Sequence, residues 1–354
     1  MDTGRAMLFH GPGRPLELVR APVPQPQGGE ILVRVTCCTL CTSDLHTHAG
    51  RRPEPTPSVL GHEIVGRVAA LGPDVAGGPV AVDGRVTWGI AVGCGRCFFC
   101  TAGLPQKCER LVKYGHRRVT PGRPFAGGLA DYVLLEPGTV VVPVPDAVPD
   151  AVAAPMACAG ATAAAVVRAA APAVAGGVVL VFGAGPLGLS AAAMARAAGA
   201  LAVVVSDPDP DRRQRATEFG ATHTVEPDAV TAAVSGLTAG RGADAALELA
   251  GSADAVRAAL ACVRVGGTVV LAGTVLPTEP VAVDPEAVVR RLLTVRGVHN
   301  YAPADLAAAV AFPAGPGKSA PWADLVGQTF PLAEAESAIG YAHAHRGTRV
   351  AVVP

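Results

Sequence analysis

The sequence predicts an α/β fold built from two domains, a β-barrel and a doubly wound parallel sheet. Its 354 residues exceed the size of one typical domain. Up to about residue 150, Pro and Gly interrupt short strand-like segments every eight to twelve residues, which is typical of a β-rich barrel. From about residue 151, alanine-rich segments with helical spacing alternate with apolar β-runs, which indicates parallel βαβ units.

Individual strands can be assigned from these patterns. In the first domain, the predicted strands are residues 30–38 and 63–70. In the second domain, they are residues 178–182, 202–206, 245–249 and 268–273. The final segment, 349–353, is also strand-like, and we expect it to pair back with the first domain. The predicted domains are therefore residues 1–150 together with 298–354, and residues 151–297.

Charge and hydropathy argue against several classes of partner. The chain carries 29 Lys and Arg against 29 Asp and Glu, with no basic run of the kind that follows a nucleic-acid backbone or an anionic membrane. Its first residues lack a basic segment followed by an apolar core, and no uninterrupted apolar run reaches about 18 residues. We therefore expect a cytoplasmic protein with neither nucleic-acid nor membrane partners.

Four of the nine cysteines lie on one loop and form the clearest metal-binding pattern. Because cytosolic thiols stay reduced, the spacing of the cysteines must decide their role. Four thiolates on one loop can complete a tetrahedral shell, as in structural zinc sites. An iron–sulfur cluster also uses four cysteines, but its common spacings differ; a different metal ion and reduced free thiols also stay open. The spacing is Cys94-x2-Cys97-x2-Cys100-x7-Cys108. Small buried residues in apolar surroundings are expected at Cys37, Cys38 and Cys262.

The predicted strand 178–182 runs into a glycine-rich turn and then an alanine-rich helix. In this context the first glycine allows the tight turn, the second lets a pyrophosphate approach the backbone, and the third lets helix and sheet pack closely. The helix N-terminus then faces the phosphates. The turn reads Gly183-Ala184-Gly185-Pro186-Leu187-Gly188.

An acidic residue at the expected distance supports a dinucleotide site. Asp207 stands nineteen residues beyond Gly188, where a carboxylate accepts hydrogen bonds from the adenosine ribose and repels a 2′-phosphate. The pattern predicts NAD as the cofactor, although Arg212 could soften the preference over NADP. The alternative interpretation is purely structural: a glycine turn followed by an acid that caps a helix, with no bound cofactor.

A second group of metal-binding residue types is dispersed along the chain. Cys41, His62 and Cys158 would leave the fourth position of a zinc ion open for water or substrate, as Lewis-acid catalysis requires. Asp44 and Glu63 lie close to the first two residues in sequence. Spacing alone does not join these residues, because His62 reads equally as a core histidine and Cys158 as a small buried residue.

The motifs occur in an order that resembles the zinc-containing medium-chain dehydrogenase/reductase family over essentially the whole chain. The resemblance implies a GroES-like barrel domain with a catalytic zinc, a Rossmann domain, and an active site in the cleft between them. It also implies two zinc ions per subunit, one catalytic and one structural, and assembly into a homodimer or homotetramer. The motifs are Cys41-Thr42-Ser43-Asp44, Gly61-His62-Glu63, the four-cysteine loop and the glycine-rich turn.

The same resemblance implies roles for single residues at the metal. It assigns the catalytic zinc ligands to Cys41, His62 and Cys158. Glu63 matches an acid that can transiently approach the metal as an alternate ligand. Asp44 matches a carboxylate that orients the ligand histidine, which fixes the tautomer of the ring.

Proton-transfer and cofactor residues follow in the same way. Ser43 and His46 match a relay that carries the alcohol proton to solvent, and histidine titrates in the pH range that such a transfer needs. Arg349 matches a residue near the pyrophosphate of the cofactor. Residues expected beside the nicotinamide are Thr162, Gly297, Val298, His299 and Asn300.

Within the family, three segments resemble a bacterial subgroup proposed to act in phosphonate metabolism: residues 93–116, 153–162 and 283–301. The implied substrate is a small alcohol or aldehyde bearing a phosphonate, for example 2-hydroxyethylphosphonate. A dianion calls for Arg, Lys or His nearby. For each candidate, a solvated surface charge is the simpler alternative. The candidates are His48, Arg51, His116 and His299, and further Arg52, Lys113, Arg117 and Arg118.

Two other functions stay open at the level of sequence. In the first, the protein is still a zinc-dependent alcohol dehydrogenase, but its substrate is a polyol, an amino alcohol or a simple primary or secondary alcohol. A pocket without convergent positive charge would favour this function. The second is a non-catalytic nucleotide-binding protein that keeps the fold without the chemistry. The complete set of zinc ligands, Asp44 and both relay residues argues against the second function, because a chain released from catalysis need not keep them all.

Overall fold

The computed structural model describes residues 2–75 and 80–354, and the chain divides into two compact units. Unit 1 comprises Met1–Cys158, Ala302–Ala314 and Trp322–Pro354. Unit 2 comprises Ala159–Tyr301 and Gly315–Pro321. The first boundary therefore lies at Cys158 rather than at residue 150, where the sequence composition changes.

The described residues form both strands and α-helices. The strands are β1 (Thr3–Phe9), β2 (Glu17–Pro22), β3 (Ile31–Thr39), β4 (Ser58–Val59), β5 (Glu63–Leu71), β6 (Arg85–Trp88), β7 (Ala91–Val92), β8 (Val112–Lys113), β9 (Tyr132–Leu135), β10 (Val141–Pro143), β11 (Val178–Phe182), β12 (Ala202–Ser206), β13 (His223–Val225), β14 (Ala243–Glu248), β15 (Val263–Leu271), β16 (Thr294–Gly297), β17 (Val326–Pro331) and β18 (Arg349–Val353). The α-helices are α1 (Thr42–His48), α2 (Phe98–Thr101), α3 (Asp150–Pro155), α4 (Ala161–Ala169), α5 (Ala171–Val174), α6 (Pro186–Ala197), α7 (Pro210–Glu218), α8 (Val230–Thr238), α9 (Ala253–Cys262), α10 (Pro285–Arg290), α11 (Pro303–Ala311) and α12 (Ala335–Ala344).

Unit 1 is built on mainly antiparallel sheets, and among its described strands β17 and β18 pair parallel. Its largest sheet has the strand order β10-β6-β5-β3-β18-β17, and β9 pairs with β3 as well. The predicted strands 30–38 and 63–70 correspond to β3 and β5, which pair antiparallel. The predicted return of the last segment is confirmed, because β18 pairs with β3, with Ala351 opposite Thr39. Alternate apolar residues of these strands, which share one face of the sheet, contribute to one buried core.

Unit 2 contains a six-stranded parallel sheet in the order β13-β12-β11-β14-β15-β16. The predicted bounds of two neighbouring strands, β11 and β12, are confirmed, and all their residues are buried. Such continuous apolar strands are expected where helices cover both faces of a sheet. The strand order reverses between β11 and β14, and in folds of this kind a ligand binds at the carboxyl ends of the strands at that point.

Helix ends in unit 2 are set by capping residues. The Asp209 side chain accepts hydrogen bonds from the backbone N–H groups of Asp211 and Arg212 at the start of α7. Ser252 caps α9 and Asp284 caps α10 in the same manner. Short polar side chains at this position satisfy N–H groups that have no partner within the helix, which explains where these helices begin.

Residues 150–169 form a helical stretch interrupted by a five-residue π-helical segment, Met156–Gly160. Pro155 precedes the segment and has no N–H to donate, so the regular helical hydrogen-bond pattern cannot continue through it. The stretch is long and apolar enough to cross a membrane by length and composition, but 72% of its most apolar window is buried inside the protein. Its first part, α3, packs on β3 and β5, which places Cys158 with unit 1.

Candidate functional site

The dispersed metal-binding residues converge in unit 1. The ligand atoms of Cys41, His62, Glu63 and Cys158 all lie within 4.8 Å of one another. Cys41 stands at the N-cap of α1, directly after β3; His62 and Glu63 lie where β5 begins; and Cys158 lies in the π-helical segment. The first three residues are buried and Cys158 is half-buried. The fold therefore joins residues that spacing alone leaves separate.

Asp44 holds two of the metal-binding residues in place. Its Oδ2 accepts the Cys41 N–H at 2.9 Å, and its Oδ1 accepts the Gly61 N–H at 3.2 Å. His62 Nδ1 lies 3.1 Å from the same Oδ1. A ring that donates from Nδ1 to a carboxylate presents Nε2 to a metal, which is the arrangement that resemblance assigned to this pair.

The donor set fits zinc with three protein ligands. A hydrogen bond with Cys158 lowers the pKa of the Cys41 thiol well below its usual range, despite burial, and the nearby Arg349 and His62 charges act in the same direction. The thiolate is the form of cysteine that binds metals. Two sulfurs and one imidazole would leave the fourth tetrahedral position open, as in catalytic zinc sites.

Arg349 lies beside the metal-binding residues of unit 1. Its guanidinium is buried and donates to both oxygens of Glu63, Nε to Oε2 at 2.9 Å and Nη2 to Oε1 at 2.8 Å. Nη2 also lies 3.4 Å from Cys41 Sγ. These donors are directed to Glu63 and Cys41, because a buried carboxylate needs a charged partner. The expectation that Arg349 also lies near the pyrophosphate stays a prediction.

Glu63 is held by two residues and not by Arg349 alone. Thr39 Oγ1 donates to Glu63 Oε2 at 2.6 Å. Burial raises the pKa of Glu63 to about 7, against the opposing effect of Arg349. Sequence analysis missed Thr39, and a threonine at the end of a strand carries no signal that would have identified it.

The four-cysteine loop also closes into a metal-binding geometry. The Sγ atoms of Cys94, Cys97, Cys100 and Cys108 lie within 4.8 Å of one another. Backbone N–H groups of Cys94 and Arg110 donate to Cys108 Sγ at 3.1 and 3.3 Å. Backbone N–H groups lower the pKa of Cys94 to about 6. Four thiol ligands with no open position fit a structural zinc site.

The predicted relay residues lie on α1. Ser43 Oγ is 3.3 Å from His62 Nε2, the nitrogen that would face a metal. His46 follows three residues later and is half-buried, and among the described residues its Nδ1 has no hydrogen-bond partner. Burial, with the charges of Arg51 and Arg346, lowers the pKa of His46.

The glycine-rich turn of unit 2 has the geometry of a phosphate-binding loop. Gly183 has φ +95°, and a Cβ atom on Gly188 would lie 1.8 Å from the Gly183 carbonyl oxygen. At Gly185 a Cβ would meet no atom within 4 Å, so this side of the turn is open. Gly185 caps α6 without a side-chain hydrogen bond, which leaves the first N–H groups of Pro186–Ala197 able to bind an anion.

Asp207 is buried beside the same turn. Its Oδ2 accepts the Ala184 N–H at 2.8 Å, and its Oδ1 accepts the Asp209 N–H at 2.9 Å. A carboxylate has further lone pairs, so these bonds still leave capacity for ribose hydroxyl groups. Two arginines follow on the first turn of α7. Arg212 Nε lies 3.7 Å from Asp209 Oδ2.

Arg213, which was not among the residues predicted from the sequence, donates to the Asp207 and Pro208 carbonyl oxygens and to Glu226.

The residues predicted to lie beside the nicotinamide also belong to unit 2. Thr162 is half-buried on α4. The Val298 N–H donates to the Leu271 carbonyl oxygen at 2.9 Å, just beyond β16. His299 and Asn300 are half-buried in the loop that follows, and Asn300 has φ +57°. The structure thus places this segment at the carboxyl ends of β15 and β16.

The predicted substrate residues of unit 1 separate into two groups. The His116 ring lies beside His62, with ring centroids 4.8 Å apart. His48 instead packs against Phe9 and His343 and lies 3.6 Å from Glu336, and Arg51 is exposed. Arg117 pairs with Glu136 at 2.5 Å and Arg118 is exposed. The fold therefore brings His116 against the metal cluster and directs His48 to a different part of unit 1.

Glu54 is a functional candidate that sequence analysis missed. Its Oε1 lies 2.9 Å from Arg52 Nε and 3.4 Å from His116 Nδ1. Nothing in the sequence marks this acid, since it stands alone between two prolines.

Comparisons with known proteins agree with this arrangement. Residues 27–146 match the alcohol dehydrogenase GroES-like domain, and residues 186–314 match the zinc-binding dehydrogenase domain. The L-threonine 3-dehydrogenase of Deinococcus radiodurans is 33% identical over 84% of this chain and 83% of its own length.

Solved structures show the same likeness. The crystal structure of an alcohol dehydrogenase from Thermotoga maritima has a TM-score of 0.93 and 28% sequence identity, with all of both chains covered. A structure from Sinorhizobium meliloti, described as a zinc-binding dehydrogenase bound to NADP, has a TM-score of 0.87 and 29% identity, again with full coverage of both chains.

Proposed function

Because the chain belongs to the zinc-binding alcohol dehydrogenase family, we propose that it is an NAD-linked, zinc-dependent enzyme that moves a hydride between a small alcohol and the cofactor. The convergence of Cys41, His62 and Cys158, with ligand atoms within 4.8 Å of one another, is the observation that carries the proposal. The chemistry that zinc supplies when bound is polarisation of the alcohol oxygen, which lowers the pKa of the hydroxyl group.

The protein's own side chains have distinct tasks in this reaction. Asp44 orients the His62 ring, and it also accepts a hydrogen bond from the Cys41 backbone N–H. Ser43 Oγ, 3.3 Å from His62 Nε2, would accept the hydroxyl proton of a substrate held beside the metal ligands and give up its own proton at the same time. The lowered pKa of His46 keeps its imidazole neutral at pH 7, so His46 can receive that proton and release it to solvent.

The proposed cofactor is NAD. Asp207 is buried at the end of β12 and would repel the 2′-phosphate of NADP. Arg212 is paired with Asp209, which reduces its value as a phosphate ligand. A solved structure 29% identical to this chain is described as bound to NADP, so the experiment must compare NAD with NADP.

We further propose a substrate that carries an acidic group, a phosphonate-bearing alcohol such as 2-hydroxyethylphosphonate. Support comes from the resemblance of three segments to a subgroup linked to phosphonate metabolism and from the position of His116 beside His62. L-Threonine is the second candidate, because a relative 33% identical to this chain is an L-threonine 3-dehydrogenase. Both molecules combine a hydroxyl group with an anion.

We also propose that the chain forms a homodimer or homotetramer. All four residues of β16, at the edge of the parallel sheet, are exposed. Val295 is 44% exposed on this strand, and Leu292, just before it, is 70% exposed. An edge strand with exposed apolar side chains is a template for pairing with another chain, and a second copy can pair with it about a two-fold axis.

The experiment measures NAD reduction by the zinc-loaded enzyme with 2-hydroxyethylphosphonate, L-threonine, glycerol and propan-1-ol at matched concentrations, and repeats it with NADP. We expect kcat/KM for the phosphonate to exceed that for propan-1-ol by at least about tenfold, or ~1.4 kcal/mol of transition-state stabilisation. Higher turnover of L-threonine would replace the phosphonate with an amino alcohol. Equal turnover of the uncharged alcohols would contradict the proposal that the substrate carries an acidic group.

A metal-ligand variant separates the enzyme from a non-catalytic nucleotide-binding protein. Cys41→Ala should abolish turnover and leave NAD binding in place, because Cys41 lies in unit 1 and the glycine-rich turn in unit 2. Normal turnover by this variant would contradict the metal-dependent mechanism. Absence of turnover by the wild-type enzyme on a wide alcohol panel, with intact NAD binding, would favour the non-catalytic protein.

A further inference from the structure

A group of charged and polar side chains lies next to the metal cluster within unit 1. Glu54 Oε1 stands between two of its members, 2.9 Å from Arg52 Nε and 3.4 Å from His116 Nδ1. The Glu54 and Arg52 side chains are mostly covered, with 16% and 26% of their surfaces exposed. One carboxylate oxygen thus pairs with a guanidinium and lies beside an imidazole.

His116 has polar atoms that the described residues leave unsatisfied. It is only 5% exposed, and neither ring nitrogen has a hydrogen-bond partner among those residues, since its approach to Glu54 lacks hydrogen-bond alignment. Its ring lies 4.8 Å from the ring of His62, a candidate zinc ligand. Buried polar atoms are almost always paired in native proteins, so two unpaired nitrogens beside a metal cluster indicate a place where a ligand supplies the partner.

Lys113 is a second member without a partner. It is half-buried at the end of β8, and no ion pair or hydrogen bond joins its ammonium to another described residue. Burial and the charge of Arg52 lower the pKa of Lys113, while Glu54 and Cys158 act to raise it. The ammonium therefore lies close enough to both the Glu54 group and the metal cluster to respond to their charges.

The charges of the group do not cancel. Arg52 and Lys113 contribute two positive charges, and Glu54 contributes one negative charge that Arg52 already neutralises. In an ion-pair cluster with only a structural role, the lysine would be expected to have an acidic partner, and the ring nitrogens of the histidine would be expected to have hydrogen-bond partners. The uncompensated ammonium and the N–H of a buried imidazole instead match the needs of an anionic oxygen, which accepts charge-assisted hydrogen bonds.

We propose that Arg52, Lys113 and His116 form a subsite for the acidic group of the substrate, a carboxylate or a phosphonate, with Glu54 as the positioning residue. The inference rests on the proposed function and assigns substrate selection to named side chains. The position of His116 against His62 places the subsite beside the candidate zinc ligands. A substrate that fits both sites has its acidic group a short distance from its hydroxyl group, as in 2-hydroxyethylphosphonate and 3-hydroxypropionate.

The test compares the zinc-loaded wild-type enzyme with Lys113→Met, and with Lys318→Met as the matched control on an exposed lysine of unit 2. The alcohols are 2-hydroxyethylphosphonate, 3-hydroxypropionate and propan-1-ol. In Lys113→Met, we expect the ratio of kcat/KM for the anionic alcohols to that for propan-1-ol to fall at least about tenfold, mainly through KM. The control should keep the wild-type ratio. The anion that loses more identifies the preferred acidic group.

A binding measurement makes the result independent of turnover. Ethylphosphonate and propionate carry the acidic groups without a hydroxyl, so calorimetry reports their binding alone. We expect at least one of them to bind the wild-type enzyme and to bind Lys113→Met at least about tenfold more weakly. Arg52→Met provides the same comparison if Lys113→Met fails to fold.

The outcomes separate the subsite from the enzyme reaction. An equal loss of kcat/KM for all three alcohols would overturn the subsite, because Lys113 would then act on the fold or on the reaction itself. Turnover of propan-1-ol without binding of either anion would also overturn it and leave the dehydrogenase intact. Lys113-dependent binding of ethylphosphonate without turnover of any alcohol would support the subsite and contradict the proposed function.

Discussion

Arg349 and Glu63 form a buried bidentate ion pair, with Nε–Oε2 at 2.9 Å and Nη2–Oε1 at 2.8 Å, beside Cys41 of the metal cluster. The two residues lie 286 positions apart, on β18 and at the start of β5. The pair thereby ties the last strand of the chain to the metal cluster, and it explains why a carboxylate is tolerated at a fully buried position.

Arg349→Met should lower the free energy of unfolding by about 3–5 kcal/mol, because it leaves Glu63 buried without its charged partner. Denaturant unfolding monitored by circular dichroism measures the loss. The double variant Arg349→Met with Glu63→Gln should recover part of the stability, since the uncompensated charge is then gone. A single variant as stable as the wild type would show that the ion pair does not hold this region together.

Asp44→Asn should weaken zinc binding at the Cys41–His62–Cys158 site by about 10–100-fold, because the amide no longer fixes the His62 tautomer as a carboxylate does. Competition with a chromophoric chelator measures the affinity. Asp146→Asn, a change at an exposed residue of unit 1, is the control. Equal zinc affinity in both variants would contradict the prediction that Asp44 orients His62 for zinc binding.

Cys97→Ser should lower the zinc content by one ion per subunit, because the four-cysteine cluster would lose a ligand while the dispersed cluster stays complete. Elemental analysis of the purified protein counts the metal. We expect a lower melting temperature as well, since metal binding contributes to folding at closed sites. An unchanged zinc content would show that the loop holds free thiols.

Two glycines of the dinucleotide turn should respond differently to substitution. Gly185→Val should weaken NAD binding at least about tenfold with little change in melting temperature, because its side chain enters open space next to the helix N-terminus. Gly188→Ala should instead destabilise the fold by about 1–3 kcal/mol, since its Cβ would overlap the Gly183 carbonyl oxygen at 1.8 Å. Fluorescence titration with NADH and thermal unfolding measure the two effects. Normal NADH affinity of a folded Gly185→Val protein would place the cofactor elsewhere.

Val295→Lys should reduce the size of the assembly, because a charge on β16 opposes pairing of two identical edge strands. Light scattering after size-exclusion chromatography measures the molar mass. Leu201→Lys, at a residue 71% exposed before β12, is the matched control. If the wild-type enzyme is a monomer, or if Val295→Lys leaves its mass unchanged, β16 is not the subunit interface.

Local patterns were sufficient for much of the fold. The bounds of β11 and β12 follow from short apolar runs between helical segments, because a strand buried on both faces needs only apolar side chains. The glycine-rich turn and the four-cysteine loop are equally local, since each functional group lies within about two dozen residues of its partners in sequence. Such signals need no knowledge of the rest of the chain.

The site itself depended on contacts between distant parts of the chain. Resemblance, not spacing, grouped Cys41, His62 and Cys158, and only the structure pairs Arg349 with Glu63. Glu54 carried no sequence signal, because an isolated acid is indistinguishable from a surface charge until its neighbours are known.

The sequence by itself determined the periodicity of the strands and helices, the turn chemistry and the two compact cysteine and glycine motifs, because these depend on residues close together in the chain. The tertiary structure alone decided which charges are buried together, as with Arg349 and Glu63 or Glu54 and Arg52. The physical reason is that the energy of a charge depends on its burial and on its nearest partner, and both are set by packing between segments that are remote in sequence.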